Sequence, residues 1–197
     1  MRIIASLFFI SLFSSCILLD IIEIDLGGND FADLSEAALN RVKPAATLDI
    51  ENNFDYDGSL YEIDAPDIQK IITSKETVWL HIWRPFCSAK ECQYIAPFEA
   101  KAKKLSMKLF MVSETYDFKS LDSIANRANY AYPFFVIRGN TFGHKIDKSR
   151  KVFLKALAKN QELQPTKYAS DFIYKNGKLI YASNVILDSL EAVISKK

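Results

Sequence analysis

The chain has 197 residues, 49% hydrophobic and 13% aromatic, which is enough for one domain with a hydrophobic core and too little for two full domains. Its 25 basic and 24 acidic residues nearly cancel, and no basic stretch supplies the clustered cations that contact phosphates, so a nucleic-acid partner is not expected. Three cysteines are present, Cys16, Cys87 and Cys92, and no bound cofactor is predicted.

The amino terminus has the pattern of an export signal. Arg2 supplies one positive charge, and an almost unbroken apolar run covers residues 3–13. An apolar stretch of about 7–15 residues that ends in small residues is typical of a signal peptide, whereas a membrane span needs about 20. Two serines then precede Cys16, and this arrangement resembles a bacterial lipobox, with Phe13 standing where leucine is usual.

The lipobox resemblance implies that residues 1–16 are a signal segment and that Cys16 becomes the lipid-modified first residue of the mature protein. The alternative is an uncleaved anchor, because residues 17–19 extend the apolar run. Both interpretations export the rest of the chain to the bacterial cell envelope, where disulfides persist. Ile17 is not the acidic residue that often retains lipoproteins at the inner membrane. We therefore expect a lipid-anchored, periplasm-facing protein, with the outer membrane favoured.

Residues 17–57 are acidic and irregular and are interpreted as a tether, with one short helix predicted at 34–41. The folded domain is predicted to span 58–197, where strand and helix patterns alternate. The predicted strands are Leu60–Ile63, 78–83, 109–112 and Phe134–Ile137, then a hairpin of 171–174 and 179–182. The predicted helices are 64–72, 89–105, Phe118–Ala128, 151–158 and 185–194. This order predicts an α/β fold with a central mixed sheet flanked by helices.

Cys87 and Cys92 lie between a buried strand and a helix. The first turn of a helix presents free N–H groups and the positive end of the helix dipole, and both stabilise a thiolate. Because the thiolate is the nucleophile in disulfide exchange, Cys87 is a candidate attacking residue and Cys92 a candidate resolving one. A structural disulfide, a metal site and two unrelated buried thiols are the alternatives. A structural bridge that closes so short a loop would add little stability.

The sequence from residue 78 to 98, VWLHIWRPFCSAKECQYIAPF, resembles the strand–active-site–helix segment of thioredoxin-like proteins. In that family the first active cysteine lies four residues after a Trp that ends a strand, and a proline lies five residues after the second cysteine. Trp83 and Pro97 match both spacings. The resemblance implies that Cys87 attacks, that Cys92 resolves, and that Pro97 corresponds to the kink of the active-site helix.

The resemblance covers residues 58–197 and implies a thioredoxin-like fold. The activity that it implies is that of a thiol–disulfide oxidoreductase whose partners are protein thiols and disulfides. An extra strand near Pro133 is similar to the insert of TlpA-type, membrane-tethered members. The family also has a cis-proline, usually followed by Thr, just before its terminal hairpin, where it binds the partner chain. Pro165 and Thr166 are the matching candidates, and Pro133 is the rival.

The active-site loop departs from the family pattern. The family has Cys-x-x-Cys, whereas four residues separate the cysteines here, so the redox potential of the family does not transfer to this chain. Phe86 stands where a Trp is usual before the first cysteine. Trp83 and Phe86 complete the predicted partner-binding set, together with the candidates before the hairpin.

His81 is a second departure, because many thioredoxins bury a carboxylate two residues before the strand-ending Trp. The ordinary pKa of histidine, about 6.5, suits proton exchange near neutrality. His81 is therefore a candidate proton acceptor for Cys92. The alternative is a core histidine hydrogen-bonded within the sheet.

A binding or metal-delivery protein on the same fold is the alternative function. His144 could join Cys87 and Cys92 in a Cys₂His copper site. Copper-delivery proteins of this fold typically separate their cysteines by three residues and place the histidine differently. A solvated loop histidine is the simpler interpretation of His144, so no metal ligand is assigned.

Overall fold

Seven strands form the central sheet of the computed structural model, which describes residues 30–49, 56–73, 76–84, 95–128, 132–139 and 144–184. The strands are β1 (Val42–Pro44), β2 (Leu60–Ile63), β3 (Thr77–Trp83), β4 (Met107–Ser113), β5 (Phe134–Ile137), β6 (Asp171–Lys175) and β7 (Lys178–Ser183). Across the sheet their order is β1-β2-β5-β4-β3-β6-β7.

The sheet is mixed. Strands β1 to β5 pair in parallel, whereas β6 runs antiparallel to β3 and forms a hairpin with β7. Asn176 and Gly177 make the hairpin turn with φ of 51° and 77°, as a two-residue turn with a left-handed backbone requires. Parallel strands need crossover connections, and these carry the helices onto the faces of the sheet.

Five α-helices are described, and two single 3-10 turns lie near the amino terminus at Phe31–Asp33 and Ala45–Thr47. The helices are α1 (Glu36–Leu39), α2 (Ala65–Ile72), α3 (Ala96–Lys104), α4 (Phe118–Ala128) and α5 (Ile146–Leu157). Helix α2 begins at a capping box in which Asp64 and Asp67 each accept the other's backbone N–H. Among the described helices, none has the length and apolar composition that crossing a membrane would need.

Side chains of β3 alternate between two cores, one on each face of the sheet. On one face α2 and α5 cover the strands, and the core there includes Ile68, Ile71, Val78, Leu80, Ile82, Phe153 and Leu157. On the other face α3 and α4 cover them, with Trp79, Trp83, Phe98, Leu121 and Ile124. The α/β fold with a central mixed sheet flanked by helices is therefore confirmed.

Most element boundaries that can be compared agree with prediction within about three residues, and the start of one helix differs more. Helix α5 begins at Ile146, five residues before the predicted start, because Ile146 and Arg150 belong to its buried side. The predicted helix 89–105 is described from Ala96 onward, with Pro97 in its first turn. The predicted helix 185–194 lies outside the described residues.

The predicted tether contributes to the folded sheet. Val42–Pro44 pairs in parallel with β2, and Ala45 is buried in the core. Arg41 donates to both carboxylate oxygens of Asp122 on α4, at 2.9 Å through Nη1, and lies over the ring of Phe118. Residues within the predicted 17–57 tether are thus attached to α4.

We expect the Asp122→Asn variant to lose about 1 kcal/mol of stability or less, because the ion pair is partly exposed. The hydrogen bonds from Arg41 hold the pKa of Asp122 below its usual range, with a further contribution from Tyr56. A depressed carboxyl pKa stabilises the folded state above the unfolded-state pKa of about 3.9, and the stabilisation is lost as the pH falls below that value. Urea unfolding from pH 7 to pH 3 should show a smaller loss of stability for Asp122→Asn than for wild type. An identical acid dependence would contradict this assignment.

Candidate functional site

The carboxyl end of β3 leads directly into the segment that carries the two cysteines. Trp83 ends the strand, Arg84 follows, and Ile95 is the next described residue, immediately before α3. In parallel α/β sheets the strand ends meet at one edge, and sites form at that edge. Cys16, Phe86, Cys87 and Cys92 lie outside the described residues, as does much of the predicted active-site helix. The described residues place both ends of the cysteine segment at this carboxyl edge.

A buried carboxylate lies beside His81. Strand register places Asp171 of β6 directly opposite His81 of β3, and His81 Nδ1 is 2.7 Å from Asp171 Oδ1. Trp79 Nε1 donates to the same oxygen at 2.9 Å, and the hydroxyl of Ser170 donates to Oδ2 at 2.8 Å. Asp171 is only 1% exposed. Three polar groups thus satisfy a carboxylate that would otherwise be costly to bury.

His81 faces the helix that follows the cysteines. Its ring centroid lies 4.3 Å from that of Phe98 on α3, and the side chain is buried. The interpretation of His81 as a core histidine hydrogen-bonded within the sheet is confirmed. Its role as a proton acceptor stays a prediction. Because Asp171 engages Nδ1, any proton exchange with another group falls to Nε2.

A second buried carboxylate, Glu114, lies just beyond the end of β4 with no exposed side-chain surface. One carboxylate oxygen accepts from Arg84 Nε and the other from Arg150 Nη1. Arg150 also donates through Nη2 to the carbonyl oxygen of Ala169 at 2.6 Å, and through Nε to that of Lys167 at 3.4 Å. We call Arg84, Glu114 and Arg150 the edge triad. It connects the ends of β3 and β4, helix α5 and the chain before β6.

Ala169 and Ser170 directly precede β6, and Pro165 lies further back along the chain. Ile82 N–H donates to the carbonyl oxygen of Ser170 at 2.7 Å, so the contact between β3 and the chain before β6 continues to Ser170. Pro165 is half-buried and Thr166 exposed, both further back along the connection from α5. Pro165 therefore precedes the hairpin at a distance of several residues, and its contact with a partner chain stays a prediction.

The expected cis bond is not found at either candidate proline. Within the described ranges all peptide bonds are trans, including those before Pro165 and Pro133. Pro133 lies before β5, which the sheet separates from β3 by β4. Trp83 is 2% exposed and its ring lies 6.1 Å from that of Phe134. The Trp83 ring therefore belongs to the core, not to an exposed partner surface.

A separate polar cluster occupies the far end of the same edge. Tyr116 donates its hydroxyl to Glu62 at 2.6 Å and accepts from the backbone N–H of Gly139. Arg138 donates to Asp64 at 2.7 Å and pairs with Glu62. Burial raises the pKa of Tyr116, and the hydrogen bond to Glu62 adds to the increase, so the phenol stays protonated. This cluster does not involve the chain before β6.

Three residues of the site region were not predicted from the sequence: Asp171, Glu114 and Arg150. Their signal was weak. Asp171 and Glu114 are single carboxylates at the ends of strongly apolar strands, and Arg150 lies on the inward side of a helix that otherwise carries lysines outward. His144 is exposed, and among the described residues no three potential ligands come close enough together to hold a metal ion.

The solved structures described below are remotely similar to this chain. Neither a protein-family model nor a curated protein sequence matches the chain. The thioredoxin domain of a thiol-disulfide oxidoreductase from Bacteroides vulgatus is 13% identical, with a TM-score of 0.42 over 66% of this chain and 81% of that one. A secreted Mycobacterium tuberculosis disulfide oxidoreductase, homologous to E. coli DsbE, is 14% identical, with a TM-score of 0.40 over 64% and 84% of the respective chains. At this distance neither structure assigns a site residue.

Proposed function

We propose that this protein carries out thiol–disulfide exchange with protein partners through Cys87 and Cys92. The observation that supports this most directly is the position of the cysteine segment between the carboxyl end of β3 and the start of α3. The chain before β6 lies alongside the same strand end through the Ile82–Ser170 hydrogen bond. A partner chain would therefore meet the cysteines at one edge of the sheet.

In the proposed reaction the Cys87 thiolate attacks one sulfur of a partner disulfide. A Cys87–partner bond forms, and the other partner sulfur leaves as a thiolate and takes up a proton. The Cys92 thiolate then attacks the Cys87 sulfur and releases the second partner thiol. The partner gains two electrons and two protons, and the protein is left with a Cys87–Cys92 disulfide. The reverse sequence oxidises a dithiol partner.

His81 is the proposed proton acceptor for Cys92 in the second step. Asp171 engages Nδ1 of the His81 ring, and Phe98 of α3 packs against the ring. His81 therefore faces this helix at Phe98, which is six residues after Cys92 in the sequence. We expect His81→Ala to shift or flatten the pH dependence of the resolving step between about pH 6 and 8. Single-turnover exchange measured across this range tests it, with Phe98→Leu as a control for lost packing. An unchanged pH profile would remove the role.

The other proposed assignments concern the partner and the membrane. Phe86, Pro165 and Thr166 would contact the partner chain, with Trp83 supporting the strand end from the core. Cys16 would carry the lipid anchor of a TlpA-type, periplasm-facing envelope protein, favoured at the outer membrane. Metabolic labelling with a radioactive fatty acid in the native host tests the anchor. Label that persists in a Cys16→Ala variant would contradict it.

Reduction of insulin by the purified protein, in the presence of a thiol reductant, tests the activity. Wild type should accelerate it, Cys87→Ser should abolish the acceleration, and Cys92→Ser should slow turnover by leaving mixed disulfides unresolved. Equal rates for wild type and Cys87→Ser would reject the proposed function. Metal analysis of the same wild-type preparation would then test the binding alternative.

A further inference from the structure

We infer that Arg150 and Glu114 are positioning residues for the protein partner, because the edge triad fixes the segment Lys167–Ala169 beside the strand end that leads to Cys87. This inference rests on the proposed function and goes beyond it. It assigns substrate selection to two buried residues that do not touch the reacting sulfurs.

The guanidinium of Arg150 holds the chain before β6 in place. Its guanidinium spans three acceptors: one oxygen of Glu114 and the carbonyl oxygens of Ala169 and Lys167. A planar guanidinium presents its donors in a fixed fork, so these three acceptors are held in one arrangement. Arg150 is itself 7% exposed, which shields the contacts from water. The backbone of Lys167–Ala169 is thereby fixed to α5.

Glu114 connects the end of β3 to the chain before β6. Its other carboxylate oxygen accepts from Arg84, the residue that directly follows β3, and its backbone N–H donates to the carbonyl oxygen of Trp83 at 3.3 Å. The chain entering the cysteine segment and the chain entering β6 are therefore joined through one buried carboxylate. The separation of these two chains is set by side chains, in addition to the ladder at Ser170.

The energetic cost of burying charge indicates that the edge triad contributes structural specificity. A buried ion pair often adds no net stability compared with apolar residues of the same volume, and its best-attested benefit is structural specificity. Here that specificity is applied to an exposed segment, since Thr166, Lys167 and Tyr168 lie at the surface and Tyr168 is 63% exposed. An exposed segment held beside the end of β3 favours binding of an extended protein chain.

Two substrates distinguish this role from a general effect on the thiol. A protein disulfide must align along Lys167–Ala169, whereas a small aromatic disulfide such as 5,5′-dithiobis(2-nitrobenzoate) reports only the reactivity of Cys87. Arg150→Lys keeps the positive charge and loses the fork of donors. We expect it to raise the KM for insulin about tenfold, since misplacement of a binding segment is costly, and to leave kcat and the small-disulfide rate within about twofold of wild type.

Arg138→Lys is the matched control. Arg138 also pairs with carboxylates at the carboxyl edge, Glu62 and Asp64, but it does not contact the chain before β6. We expect its KM for insulin to stay within about twofold of wild type. Glu114→Gln keeps the shape of the side chain and removes its charge. It should also raise the KM for insulin, and it serves as the test variant if Arg150→Lys does not fold.

Three outcomes are decisive. A selective rise in the KM for insulin with Arg150→Lys supports the inference. An unchanged KM, or an equal loss toward the small disulfide, overturns it while the proposed function stands. Wild-type protein that is inert toward insulin but reactive with the small disulfide, or inert toward both, rejects the proposed function itself.

Discussion

Replacing Asp171 with alanine is expected to lower the free energy of unfolding by about 2–5 kcal/mol. The substitution removes the acceptor of Trp79 Nε1–H and the partner of His81 Nδ1, and both groups are buried between β3 and α3. A buried polar group without a partner costs about 1–3 kcal/mol, so two such groups account for a loss of this size.

Asp171→Asn is the control for this prediction. The amide keeps one acceptor oxygen of the same shape, so we expect a smaller loss, about 1–2 kcal/mol. In the Trp79→Phe background the effect of Asp171→Ala should shrink, because one of the two orphaned groups is already gone. Urea unfolding followed by far-ultraviolet circular dichroism gives the free energy of unfolding of each variant: Asp171→Ala, Asp171→Asn, Trp79→Phe and the Trp79→Phe, Asp171→Ala double variant. A loss below about 1 kcal/mol for Asp171→Ala would contradict the buried network.

The second large effect is expected at Glu114. Glu114→Ala leaves the guanidinium groups of Arg84 and Arg150 facing each other without the carboxylate between them. Removing one partner of a buried ion pair typically costs about 3–5 kcal/mol, and we expect a loss in that range.

Glu76 provides the matched control for Glu114. It pairs with Lys108 at 2.9 Å, but its side chain is 54% exposed. Exposed pairs contribute about 0–1 kcal/mol, so Glu76→Ala should be nearly neutral. The same unfolding experiment compares the two variants. Equal losses for Glu76→Ala and Glu114→Ala would show that the burial of Glu114 does not govern the energetics of its ion pairs.

Local pattern was sufficient to predict much of the fold. The apolar run of β3 and the apolar spacing of α2 and α4 are strong signals, and the Asn176–Gly177 turn identifies the hairpin between β6 and β7. Local pattern was not sufficient to predict the order of the strands across the sheet. Strand β5 lies between β2 and β4, and nothing in its four residues indicates its neighbours. Strand β1 has three residues, one of them proline, and carries no strand pattern.

The candidate site divides in the same way. Cys87 and Cys92 were proposed from their spacing to Trp83 and Pro97, and His81 from its place two residues before Trp83, and these roles stay predictions. Asp171 lies ninety residues from His81, and its contact depends on the register between β3 and β6. The hydrogen bond from Ile82 N–H to the carbonyl oxygen of Ser170 depends on the same register. Single-sequence reasoning does not determine such a register, so Asp171 was not identified as a neighbour of His81.

Covalent trapping of the partner is the most direct test of the proposed exchange activity. Cys92→Ala, expressed in the native host, lacks the residue that would resolve the intermediate between Cys87 and a partner. Non-reducing electrophoresis should show mixed disulfides that disappear on reduction and are absent from the Cys87→Ala, Cys92→Ala double variant. The same bands in that double variant, or none in Cys92→Ala together with no reduction of insulin by wild type, would contradict an exchange function at Cys87.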